Sequence, residues 1–173
     1  MRRVLLALIA LAALVLVGQR LRVALASDAT RIRWRLEQME AGFNEARLGA
    51  CLRGVADGWR DTESGVDRAL LADLLRSLFF HERDPESGRF PFRVELEPEA
   101  LAIAVDPQVE GRAQVEAVAR FSMLERGEWS ETWRLRLRAT LEQHEELGWQ
   151  VVRSERETLS SDGRLVDARR SGR

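Results

Sequence analysis

Apolar residues follow three successive patterns along this chain, and each predicts a different kind of element. The first is an unbroken apolar run from Val4 to Val17 behind Arg2 and Arg3. The second has a helical period. Ser27, Asp28 and Thr30 offer N-cap oxygens, and Ile32, Leu36, Met39 and Phe43 then form one stripe while Arg31, Arg35, Glu37 and Glu40 fall outside it. A second short helix is predicted from Leu48 to Val55, broken by Gly58 and the cluster Asp61–Gly65. Ser64-Gly65-Val66-Asp67 resembles a capping box and predicts the start of a third helix, with Leu70, Leu71, Leu74, Leu75, Leu78 and Phe79 toward the core and an end at Asp84–Gly88.

From Phe90 onward the period is two. Val94 and Leu96, then Leu101, Ile103 and Val105, predict short strands around a turn at Pro98. Longer strands are predicted at Val115–Leu124, Trp129–Glu142 and Trp149–Thr158. In the second of these, Trp133, Leu135, Leu137, Ala139 and Leu141 alternate with Arg134, Arg136 and Arg138, as in an antiparallel sheet with one dry face. Facing residues of a hairpin must share a face. A three-residue loop, Arg126-Gly127-Glu128, satisfies that rule: it sets Phe121 opposite Trp133, Ala119 opposite Leu135, Ala117 opposite Leu137 and Glu116 opposite Arg138. Gly127 is then expected in the left-handed region. Helices followed by strands make the class α+β, with three helices packed on one face of a mostly antiparallel sheet.

The leading apolar run is a targeting segment, covering residues 1–26 with its flank. Fourteen residues at about 1.5 Å each reach about 21 Å, short of a roughly 30 Å hydrocarbon core. Extension through Leu21–Leu25, with Arg20 and Arg22 snorkelling, would complete an anchor. Ala24-Leu25-Ala26 also fits a cleavage site before Ser27. The expectation is an anchored, exported domain. Secretion after cleavage and a cytoplasm-facing domain are the alternatives, the latter because five arginines between Arg20 and Arg35 outnumber Arg2 and Arg3. Residues 27–159 form the folded domain, and 160–173 lack an apolar period and read as a disordered tail.

Charge and composition narrow the chemistry. Beyond residue 26 the acids outnumber the bases, which is a poor footprint for nucleic acid. Cys51, the single cysteine, lies in an apolar helical stretch and reads as a packed thiol. With two histidines, His81 and His144, both in turn-like contexts, no Cys/His metal cluster is expected, and there is no Gly-rich phosphate loop or nucleophile elbow. No cofactor is expected. A regular pleat that buries Trp149 and Val151 would turn Arg153 and Glu155 inward, and would set Glu131 on the face of Trp129 and Trp133. Buried charges need partners. Arg153 with Glu155 or Glu131 could therefore line a polar pocket walled by Trp59, Phe80, Trp129 and Trp133, or lie beyond the core at the sheet's edge. Arg134, Arg136 and Arg138 with Glu116 form either a wet sheet face or an interface.

The element order, with Phe43-Asn44-Glu45-Ala46, Gly58-Trp59-Arg60-Asp61 and Gly148-Trp149-Gln150-Val151-Val152, resembles the cystatin-like cone superfamily of nuclear transport factor two, SnoaL-like proteins and ketosteroid isomerase, over residues 28–159. The resemblance implies a strongly bent sheet wrapped around the helices, a pocket at the open end and a dimer contact on the opposite sheet face. It implies no single function, since the fold hosts isomerases, dehydratases, cargo binders and secretion scaffolds. The isomerase oxyanion hole uses a tyrosine, and this chain has none. The expected function is a membrane-tethered or exported, non-catalytic module that binds a small apolar ligand or a protein partner. The alternative is a SnoaL-like isomerase, dehydratase or hydrolase using Glu131, Glu155 or Asp61 as base. A deep cavity holding a carboxylate with a raised pKa would favour the enzyme.

Overall fold

The computed structural model describes residues 26–84 and 88–161, so the apolar run at Val4–Val17 and most of the predicted tail lie outside the described residues. Among the described residues no helix is long and apolar enough to cross a membrane.

Helix α1 (Asp28–Asn44) is capped by Ser27, whose Oγ accepts from the Thr30 amide at 3.3 Å. It crosses the short helix α2 (Leu48–Arg53) at Gly42, where a Cβ would lie 2.7 Å from that of Ala50. The chain then forms strand β1 (Val55–Asp61), where the sequence predicts the end of a helix and a break. A parallel partner decides this: β1 lies beside β6, and local signals carry no information about so distant a pairing. Helix α3 (Arg68–His81) is capped by Asp67, which accepts from the Leu70 amide at 2.9 Å. Ser64 is not its cap, because it bonds to Asp61 instead. Leu70 and Leu74 are 48% and 51% exposed, a correction to the core face predicted for this helix.

Strands β2 (Phe92–Leu96), β3 (Ala102–Val105), β4 (Arg112–Glu125), β5 (Glu128–His144) and β6 (Gly148–Ser161) complete a mixed six-stranded sheet of order β1-β6-β5-β4-β2, with β3 beside β2 along β4. Ile32, Val55, Trp59, Ala113, Val115, Ala117, Leu141, Trp149 and Val151 form the core between α1 and the sheet. Asn44 ties the end of α1 to β2 by donating to the Val94 carbonyl at 2.9 Å and accepting from the Val94 amide at 2.7 Å. Phe43, Phe79, Phe90 and Phe121 stack edge to face beside it.

The β4–β5 register agrees with the expectation: Phe121 faces Trp133, Ala119 faces Leu135, Ala117 faces Leu137 and Glu116 faces Arg138. The route to it differs. The loop has two residues, Arg126 (φ 51°) and Gly127 (φ 87°), between the pair Glu125 and Glu128. Such a turn alone would have mixed the faces, but a bulge at Thr132 restores them by one residue. Thr132 is buried, and its hydroxyl donates to the Phe121 carbonyl at 3.1 Å.

Candidate functional site

Two bulges decide which side chains reach the concave face. On β6, Leu141 pairs with Val151 but Thr140 pairs with Arg153, which leaves Val152 as the extra residue. Trp149 and Val151 are buried, as the regular pleat predicts. Beyond Val152 the alternation reverses, so Ser154, half-buried, and Arg156, itself exposed at the sheet's edge, line the concave side, while Arg153 and Glu155 lie outside it. The expected inward pair is therefore corrected to its neighbours. On β5 the Thr132 bulge has the same effect, setting Glu131 opposite Ser122 and Trp129 opposite Leu124 rather than on the face of Phe121. Glu131 is exposed and accepts from Ser160 Oγ at 3.1 Å.

Over the concave face lies a cavity of about 360 Å³. Leu36 and Met39 of α1, Leu71 and Leu74 of α3, and Leu135, Leu137 and Ala139 of β5 supply much of its apolar wall. Trp59 lines it. The other aromatics expected there do not: Phe80 is 77% exposed, Trp129 is 46% exposed, and Trp133 is half-buried outside the lining. Sequence periodicity shows the apolar wall, but not the polar end.

That end is built from Asp61, Ser64, Ser154 and Arg156. Asp61 Oδ1 accepts from the Ser64 amide at 2.8 Å and the Ser64 hydroxyl at 2.6 Å, and Oδ2 accepts from Ser154 Oγ at 3.1 Å. Burial pushes the Asp61 carboxyl up, but the Ser64 and Ser154 hydrogen bonds and the nearby Arg156 charge outweigh it and hold it below the usual carboxylate range. Asp61 is thus an ionised structural group whose acceptor positions are largely occupied. Glu40 on α1 does have its pKa raised, chiefly by burial, but it is not part of the cavity wall. Cys51 is buried and its thiol is pushed up to about 11 by desolvation, which makes it a poor nucleophile. Among the described residues no cluster of His, Cys, Asp and Glu is arranged to hold a metal ion.

The convex face carries Arg134, Arg136 and Arg138, and their partners are on the same chain. Arg134 pairs with Glu97 at 2.7 Å, Arg136 with Glu157 at 2.8 Å, and both Arg136 and Arg138 lie within 4 Å of Glu116, at 3.6 and 3.8 Å. The stripe is neutralised within the chain.

No family model and no curated protein sequence matches this chain. Solved structures do. A nuclear transport factor 2-like protein with a cystatin-like fold from Novosphingobium aromaticivorans aligns with a TM-score of 0.60 at 19% identity, covering 91% of this chain and 95% of that one. A nuclear transport factor 2-like superfamily protein from Salmonella enterica aligns at 0.54 and 14% identity, over 79% and 94%. The CaMKII hub of S. rosetta aligns at 0.55 and 16% identity, over 77% and 98%. At these identities the likeness is one of fold, and the fold is the nuclear transport factor 2-like, cystatin-like cone.

Proposed function

We propose that the chain is a non-catalytic binding module that takes a small apolar ligand in its cone, tethered to or exported across a membrane by its N-terminal run. The observation that carries this reading is the cavity itself. It is of ligand size, its walls are aliphatic and aromatic, and its one lining carboxylate is ionised and hydrogen-bonded rather than poised to accept a proton. The two other carboxylates considered as bases, Glu131 and Glu155, lie outside it. The reading extends to self-association, since one fold neighbour is named a hub. Arg134, Arg136 and Arg138 are already paired with acids of the same chain, so a contact through that face would not need acids from a second copy.

The test is saturable uptake of a neutral fluorescent probe, N-phenyl-1-naphthylamine, by the wild-type protein and by Ala139→Phe, which places a ring in the cavity from β5. The expected result is binding by wild type and a loss of roughly tenfold or more in the variant, with thermal unfolding checked in parallel. Absence of saturable uptake by the wild type overturns the proposal.

A further inference from the structure

We propose that the cavity selects an apolar monocarboxylic acid, its tail against the aliphatic wall and its carboxylate on Arg156. This inference rests on the reading of the cavity as a ligand site and adds to it the chemistry of the head group.

The polar groups of the cavity are gathered at one end, and all but one are committed to each other. Ser64 and Ser154 donate to Asp61, and Asp61 accepts through both oxygens. Arg156 is different. Among the described residues its guanidinium has no hydrogen-bond or ion-pair partner, although it lies in the field of Asp61. Arg134 is paired with Glu97, Arg136 with Glu157 and Arg120 with Glu95 at 3.2 Å, whereas Arg153, which like Arg156 has no such partner among the described residues, lies outside the cavity. The bulge at Val152 is what brings Arg156 to the concave side, where its partner across the sheet is Leu137, a cavity-lining side chain. An exposed planar cation with five donors is thus placed at the rim of an apolar cavity, hydrogen-bonded to none of the nearby acids Glu63, Glu155 and Glu157 that share its outer groove.

A carboxylate is the complementary group, because its two oxygens match the guanidinium fork. Asp61 sets the charge limit. Its fixed negative charge beside Arg156 disfavours a dianionic head such as a phosphate monoester and leaves a single carboxylate as the best-matched anion. The aliphatic wall contributed by Leu36, Leu71, Leu135 and Leu137 suits an alkyl or alicyclic body in the same ligand.

The experiment is equilibrium dialysis of decanoate, decan-1-ol and decylamine against the full-length chain in lipid nanodiscs, with empty nanodiscs subtracted, for wild type, Arg156→Gln and Arg156→Lys. The wild type is expected to bind decanoate roughly tenfold or more tightly than decan-1-ol. Arg156→Gln is expected to lose that preference while keeping its affinity for decan-1-ol, which also reports that the variant is folded. Arg156→Lys should keep the sign of the preference at reduced size, since an ammonium retains charge without the fork. Equal wild-type affinities for acid and alcohol, a preference for decylamine, or an acid preference that survives in Arg156→Gln would each overturn the head-group assignment and leave the apolar cavity standing. Failure of all three compounds to bind saturably would overturn the cavity reading beneath it.

Discussion

Asp61 shows how a single side chain joins fold and site. It ends β1, pairs in register with Ser154 of β6, and is hydrogen-bonded by Ser64 from the following turn, so one carboxylate fastens the parallel strand pair and the entrance to α3. Its pKa is depressed in the folded protein. The stability it contributes is therefore fully present above the unfolded value of about 3.9 and is lost as the pH falls through the lower folded value. Asp61→Asn is expected to lower the melting temperature at pH 7 and to narrow its gap with wild type as the pH falls below about 3.9, the gap closing only below the lower folded value, where both proteins carry a neutral group at this position. Thermal unfolding monitored by circular dichroism across pH 2–8 checks this; a gap that persists unchanged at the acid end would show that the charge is not what stabilises the site. The hydrogen-bonding partners of Asp61 could not be read from local sequence, since Ser64-Gly65-Val66-Asp67 looked like a helix cap and Ser154 lies far along the chain.

Among the elements, β6 is the one whose geometry controls what the cavity contains. Its first residues follow the period-two pattern, and one extra residue at Val152 then exchanges the two faces until a second extra residue at Leu159 restores them. Cysteine substitution reads this directly, because native Cys51 is buried with its thiol at about 11 and gives a low background. Glu155→Cys is expected to react with a maleimide roughly tenfold faster than Ser154→Cys, which faces the cavity beneath the helices. The opposite order would restore the regular pleat and the inward Glu155. The β4–β5 hairpin makes the same point from the other side. Matching apolar faces identified the correct pairs around Phe121 and Trp133, yet the pairs arise from a two-residue turn and a bulge rather than from the three-residue loop. The constraint of burial was legible; the way the backbone meets it was not.

At the scale of the whole molecule, the folded domain and the apolar run are separate physical statements. Helix α1 begins at Asp28, immediately after the targeting segment inferred from residues 1–26. An uncleaved anchor would hold the cone close to the bilayer. The full-length protein is expected in the membrane fraction with its N-terminus intact, as read by mass spectrometry after fractionation. A soluble mature chain starting at Ser27 would replace the anchor with a cleaved signal.

Sequence alone determined the α+β class, the three helices, the dry face of β5 and the pairs at its centre, because burial imposes a period that each segment carries locally. The likeness to the cone fold followed from that order of elements. The parallel strand β1, the bulges at Val152 and Thr132, and the exchange of Arg153 and Glu155 for Ser154 and Arg156 in the cavity were decided only by tertiary structure. Each depends on a partner strand or a distant side chain. A shift of one residue costs little in local pattern but moves every later side chain to the other face, and in this protein that shift determines which charges meet the ligand cavity.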